Sequence, residues 1–410
     1  MKEAAREPVL SRADVMALSA AVAESPPEQL TRIVAVLDAM PDREAANAVL
    51  DVARTRLRTL DPRRRLTLPR LIFLPLDGAI VDARLWRPGE SRLPRSILLP
   101  LASAILPMLG DDARRFAEAL AGLHRDEHPR ILQIGEQVWP RAAEALRRVT
   151  EPPADWPWGK EHFIPFARFS ATVLVQGAAI MRAVHAASGG PPDILVRYAL
   201  MGVSRSGVEP MLAAMATLLT VSRRPATVCA IAGSLSSRSS VPAQALLVES
   251  VERRVAELNY LKMELLPERL EILAAILENI SEVMGARAPQ WRRRLLGWRH
   301  AVEASCRTTY GEYGAAQILE PAQRFRDGSP TDAEVTTLEE SALALRRFEM
   351  ASRLLGSDAA CSNARRTLLG DLTDLAVGVA PGARVEIARV VEILAGPELG
   401  WDFLEIGPWP

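Results

Sequence analysis

Lysine is nearly absent from this 410-residue chain: Lys2, Lys160 and Lys262 stand alone, and the other 47 of its 50 basic residues are arginine. An equal number of acids brings the formal charge to zero. The balance holds in both parts of the chain, with 23 basic and 20 acidic residues up to Thr150 and 27 and 30 after it. A domain that binds nucleic acid through overall charge is thereby excluded, and only local patches can carry such a role. Cysteine is scarce as well. Cys229, Cys306 and Cys361 are odd in number and far apart, which excludes a disulfide framework and a zinc knuckle and fits a reducing, cytoplasmic setting. Long apolar runs are missing too. The longest, Ile97 to Leu109, is interrupted by Pro100 and Pro107 and is too short to span a bilayer as a helix. The N-terminal stretch has no apolar core of signal-peptide length. Alternating apolar and polar runs joined by hairpin dipeptides are absent, which argues against a sheet protein.

What is present is helical periodicity and one internal duplication. Leu68 to Ile80 reads LPRLIFLPLDGAI and Leu93 to Ile105 reads LPRSILLPLASAI, with nine of thirteen positions identical. The first proline of each copy suits the first turn of a helix. The second, Pro75 and Pro100, lacks the amide proton that a helix interior requires, so a kink or break is expected at both. No third copy follows, and a spacing of twenty-five residues fits no established helical repeat. The copies read as two matched, kinked core segments packed side by side.

Three helices are expected in the first sixty residues, with capping signals at Ser11 and at Ser25 to Glu28. Further capping boxes are read at Ser206 with Glu209 and at Thr331 with Glu334. Glu151 to Lys160, with three prolines and two tryptophans, breaks every period and is expected to separate an N-terminal domain, 1–150, from a C-terminal one, 161–410. Its Trp156 and Trp158 lie close in sequence to Phe163, Phe166 and Phe169, and these aromatics are expected to glue the segment to the next helix. Met263, Leu266, Leu270, Leu273, Leu277, Ile280 and Met284 step by three and four, the seam of a buried bundle helix. The tail from Gly400, with Trp401 and Trp409, is expected to pack back as an irregular strap. The fold class that follows is all-α: stacked helical hairpins in two lobes, either solenoid-like or two multi-helix bundles.

Signals for chemistry are thin. His124, Glu127 and His128 match the HxxEH pattern in which two histidines and a glutamate on one helix serve a zinc peptidase. Pro129 draws His128 out of that geometry, so a metal site is not expected. Asp111 and Asp112 open an Asp-rich run that closes on Arg115 where a metal motif needs an acid. Gly159-Lys160 continues with Glu161 and so is no phosphate-binding loop, and Gly202 to Gly207 misses nucleophile-elbow spacing. No cofactor is implied.

Two arginine runs remain. Arg63, Arg64 and Arg65 lie in a stretch of seven arginines facing the single acid Asp61. Arg292, Arg293, Arg294 and Arg299 flank a helical face of Trp291, Leu295, Trp298 and Val302, and no acid occurs between Glu282 and Glu303. The tryptophans are expected in the core and the arginines on the surface. The function expected from this pattern is a non-enzymatic, cytosolic helical scaffold binding another protein through Arg/Trp-rich surfaces. The alternatives are a helical enzyme whose site is assembled from scattered residues, and a peripheral binder of anionic membrane or nucleic acid.

Overall fold

The structure is a computed structural model that describes residues 12–26, 29, 33, 49, 66–82, 86–87, 91–121, 123, 128–189, 193–285, 288–326 and 330–405. Among the described residues the fold is all-α, with one pair of two-residue strands as the exception. Contacts divide the chain into two compact units, Met1–Arg253 with Glu282–Arg287 and Arg254–Ser281 with Ala288–Pro410.

In the first unit, helix α1 spans Arg12–Glu24. The Ser25 hydroxyl donates back to the Ala21 carbonyl at 2.7 Å, and Glu28, the other member of the expected box, lies outside the described residues. Of the two helices expected next, only Gln29, Ile33 and Val49 are described, and all three are helical. The signal at Ser11 and the arginines from Arg54 to Arg65 lie outside the described residues.

The duplicated segments take different conformations. The first copy is helix α2 (Leu68–Phe73), a 3₁₀ turn over Leu74–Ala79, then strand β1 (Ile80–Val81). The second copy begins as strand β2 (Leu93–Pro94), turns through Arg95–Ile97 and continues as helix α3 (Leu98–Leu109). The strands pair in parallel, Ile80 with Leu93 and Val81 with Pro94. The expected break at Pro75 is present, because α2 ends at Phe73. The break expected at Pro100 is not: α3 starts only two residues earlier, so the missing amide falls among the first-turn donors that have no helical partner anyway. The copies differ from their identical Leu-Pro-Arg starts, helical at Leu68 and extended at Leu93, and they end differently where their sequences differ. Asp77-Gly78 ends the first, whereas Ala102-Ser103 carries the second onward as helix, with the Ser103 hydroxyl donating to the Pro100 carbonyl at 2.8 Å.

Helices α4 (Asp111–Ala121) and α5 (His128–Arg148) follow, the latter running through Pro140. Trp139 of α5 is fully buried, and its indole donates to the Leu71 carbonyl at 2.8 Å. Gly135 and Gly177 make room for its ring, since a Cβ at either would meet indole carbons at 2.1 and 2.8 Å.

The Pro/Trp stretch 151–160 lies inside the first unit and does not coincide with the division, which falls within the helix Ser240–Glu257. Its aromatic rings hold it there. Trp156 packs edge-on to Phe163 at 5.0 Å, and Trp158 packs on Trp86 at 4.8 Å while its indole donates to Ser96 Oγ at 3.1 Å. Trp86, from the connection between the two copies, also lies 5.3 Å from Phe166. The cluster therefore joins the segment to the second copy as well as to the next helix.

That next helix is α6 (Phe163–Leu174), followed by α7 (Gly177–Gly189), α8 (Asp193–Ser204), α9 (Val208–Val221), α10 (Pro225–Leu235) and α11 (Ser240–Glu257). The box expected at Ser206 and Glu209 does not form: Gly207, at φ +133°, stands at the helix start and takes a backbone shape that a side chain would oppose. α9 is the most deeply buried of these helices, from Pro210 to Leu219.

In the second unit the heptad seam lies on α12 (Leu266–Ile280), where Leu266, Leu270, Leu273, Leu277 and Ile280 are all buried. Within the unit it packs on α15 (Asp332–Arg353), as a bundle helix does. Helix α13 (Pro289–Gly314) runs into a π-helical stretch, Ala315–Leu319, ahead of α14 (Glu320–Arg324). Pro321 cannot donate to the ladder there, and the helix widens just before it. The box at Thr331 and Glu334 opens α15 as expected, with both reciprocal bonds made. Helices α16 (Asp358–Ala376), α17 (Pro381–Ala395) and α18 (Pro397–Leu404) complete the unit. The tail is thus a helix, not an irregular strap, up to Leu404; Trp401 is exposed, and Trp409 lies outside the described residues.

Candidate functional site

The first half of α13 carries the basic face. Pro289 starts the helix within its first turn, where a missing amide costs nothing, and the chain then places Trp291, Leu295, Trp298 and Val302 inward at helical spacing. All four are buried, and the two indole rings lie 6.4 Å apart at 52°. The tryptophans are therefore anchors beneath the surface and no part of it. Arg292, Arg293, Arg294, Arg299 and His300 are exposed on the other side of the same turns. Leu296 stands among them, 55% exposed. The result is an apolar centre with a cationic surround on a helix pinned by two large rings.

Arg63, Arg64 and Arg65 lie outside the described residues, as do His124 and Glu127. His128 is the first residue of α5, and its ring sits 5.2 Å from that of His185 on α7. Among the described residues no three His, Cys, Asp or Glu side chains converge as metal ligands do. Asp112 is tied to two arginines, Arg115 at 3.0 Å and Arg141. A carboxylate so paired serves as a clamp between α4 and α5.

Sequence reading missed a polar centre in the core of the second unit. Glu349 of α15 is buried, with Arg365 of α16 at 2.9 Å and Arg353 at 3.6 Å. Cys361 accepts from the Ser352 hydroxyl at 3.3 Å, and its thiol is held below the ordinary cysteine range chiefly by a hydrogen bond from Cys306. The Cys306 thiol is pushed up by that same bond and by burial. Burial, and then the Glu349 charge, raise the Tyr310 hydroxyl above its usual value. A signal existed: Leu338, Ala342, Leu345, Glu349 and Ser352 step by four and three, which places an acid on an otherwise apolar seam. Arg365 and Arg353, both partly exposed, offset the charge of that buried acid, so the centre is an acid of the core paired to arginines that reach the surface.

Between α13 and α16 runs an open groove of about 340 Å³, with Arg307 and Asp371 on its walls. Its one hydroxyl, Thr367, donates to the Asn363 carbonyl of its own helix at 3.3 Å and is committed there. The lining holds no nucleophile beside a base.

Comparison with protein-family models, curated proteins and solved structures finds no match to this chain.

Proposed function

We propose that this chain is a non-enzymatic helical binding protein whose α13 face takes an acidic surface of a partner protein. The observation that carries the reading is the two-sided build of α13. Two buried tryptophans fix the helix, while Arg292, Arg293 and Arg299 neighbour the exposed Leu296 at helical spacing and Arg294 is exposed further round the same turns, with no acid between Glu282 and Glu303. Interfaces have this anatomy, an apolar centre rimmed by polar groups and enriched in arginine. Arginine also presents a rigid fork that pairs two-handed with carboxylates. A pinned helix spends little entropy on docking, which favours binding over a flexible tail of the same charge.

The test places a photo-crosslinking amino acid at Leu296 in the full chain in its native cells, with the same probe at Val377, another exposed site of the second unit, as control. A partner captured at Leu296 and absent at Val377 is then purified and titrated against the wild-type chain and the triple variant Arg292→Gln, Arg293→Gln, Arg294→Gln. The expected outcome is a loss of affinity of at least about tenfold, weakening further with salt. Equal capture at both positions, or full affinity in the triple variant, defeats the reading.

A further inference from the structure

We infer that the outward face of α8 is a contact site for an anionic lipid surface, through residues separate from the α13 face. A helix in a water-soluble core is apolar on one side only. α8 is apolar on both. Val196, Ala199, Leu200 and Val203 are buried against the rest of the unit, while Ile194 is 77% exposed and Tyr198 62% exposed, with Leu195 and Met201 also at the surface. Ile194, Tyr198 and Met201 are spaced by four and three residues and so form one stripe along the outer side, about 10 Å long.

Charge accompanies the stripe. Between Asp193 and Glu249 the sequence has five arginines and one acid, Glu209, in a chain whose net charge is zero. Arg197 borders the stripe and Arg205 lies at its C-terminal end, both exposed. At the other end Arg224 reaches Asp193 at 3.6 Å, which brings the exposed Arg223 beside the helix start and neutralises its one carboxylate. Arg197, Arg205 and Arg223 have no ion-pair partner among the described residues.

Size and shape decide the occupant. A stable protein interface buries about 800 Å² on each partner. Four side chains on a convex helix offer much less. A bilayer surface asks for less: a few apolar side chains entering the headgroup boundary, a tyrosine at that depth, and arginines whose charge meets anionic headgroups. Among the described residues no single helix is long and apolar enough to cross a membrane, so the contact proposed here is one that lies on the surface.

The experiment is sedimentation of the full chain with sucrose-loaded vesicles, either pure phosphatidylcholine or with about a third phosphatidylserine. Binding to the anionic vesicles alone is expected, falling as salt rises. Replacing Arg197, Arg205 and Arg223 by Gln should lower the partition roughly a hundredfold, at about 1 kcal/mol for each arginine near the surface. Ile194→Ser with Tyr198→Ser should lower it at least about tenfold. All five side chains are exposed, and unchanged circular dichroism will show that the variants fold. Hydrogen exchange of the wild-type chain should slow over Asp193 to Arg205 when anionic vesicles are added. The proposal is overturned by equal binding to neutral vesicles, by variants that partition as wild type does, or by protection confined to other segments. It is equally overturned if Tyr198→Ser dissociates a dimer of the chain, or releases a purified acidic protein, while vesicle binding stays unchanged.

Discussion

Thr217 holds the Gly78 turn against α9 with one hydroxyl. That hydroxyl accepts from the Gly78 amide at 3.2 Å and donates to the Pro75 carbonyl at 3.0 Å. A Cβ on Gly78 would lie 2.2 Å from the Ala216 carbonyl oxygen, so only glycine lets the two backbones approach this closely. Gly78→Ala should therefore destabilise the fold by roughly 3 kcal/mol, as overpacking against rigid backbone does. Thr217→Val keeps the shape and strands an amide and a carbonyl, at a cost of about 1–3 kcal/mol. Urea unfolding of both variants measures this; wild-type midpoints would contradict the arrangement.

The second prediction separates the two sides of α13. Trp298 is buried beside Trp291, and truncation to Ala should cost roughly 3–5 kcal/mol through lost transfer energy and the cavity left behind. Replacing Arg292, Arg293 and Arg294 by Gln should change stability by less than about 1 kcal/mol, because exposed charges contribute little. Thermal melts of the two variants should thus differ widely. A Trp298→Ala chain as stable as wild type would remove the anchor on which the proposed docking face depends.

Periodicity explains which parts of this fold the sequence made legible. The seam from Leu266 to Ile280, the inward tryptophans of α13 and the box at Thr331 each rest on local spacing, and local spacing survives folding. Trp139 was not legible as an anchor, because its partners, the Leu71 carbonyl and Gly177, come from distant parts of the chain. The duplication misled for a related reason. Nine identities suggested two like segments, yet the identical Leu68-Pro69 and Leu93-Pro94 are helix in one copy and strand in the other, and Asp77-Gly78 turns the first against α9 where Ala102-Ser103 continues the second as helix. Glu349 was readable as an acid on an apolar seam, but nothing local announced that Arg365 would reach it from the next helix. Of the candidate site, the alternation of buried and exposed residues on α13 was visible beforehand; the outer stripe of α8 was not, since an apolar residue on a helix does not say which way it faces.

Cysteine chemistry supplies the third prediction. Burial pushes the Cys229 thiol up to about 12, and Cys306 and Cys361 are buried as well. The native chain at pH 8 should resist alkylation at all three positions for as long as it stays folded, and react at all three once unfolded. In mild urea, Cys361 should be modified before Cys229, because the hydrogen bond from Cys306 favours its thiolate while burial disfavours that of Cys229. Peptide mapping by mass spectrometry reads the order. Rapid labelling of Cys229 in the native chain would contradict its burial.

The last prediction concerns the start of α15. The Thr331 amide donates to Glu334 at 2.9 Å, the Thr331 hydroxyl donates to the same carboxylate at 2.8 Å, and the Glu334 amide returns a bond to that hydroxyl at 3.4 Å. The backbone bond from Thr331, then its hydroxyl, hold the Glu334 carboxyl below the usual glutamate value. A carboxylate depressed in the folded state stabilises it above the unfolded pKa, near 4.3, and that contribution is lost as pH falls through the folded pKa. Gln at the same position can still close the box but carries no charge. Glu334→Gln should therefore be less stable than wild type at neutral pH, and the gap should shrink as the pH falls below about 4.3. Thr331→Ala, which removes the cap itself, should cost about 1 kcal/mol. Melting curves between neutral and acidic pH give both results; a gap for Glu334→Gln that stays constant down to the lowest pH would show that the carboxylate charge plays no part in holding this helix start.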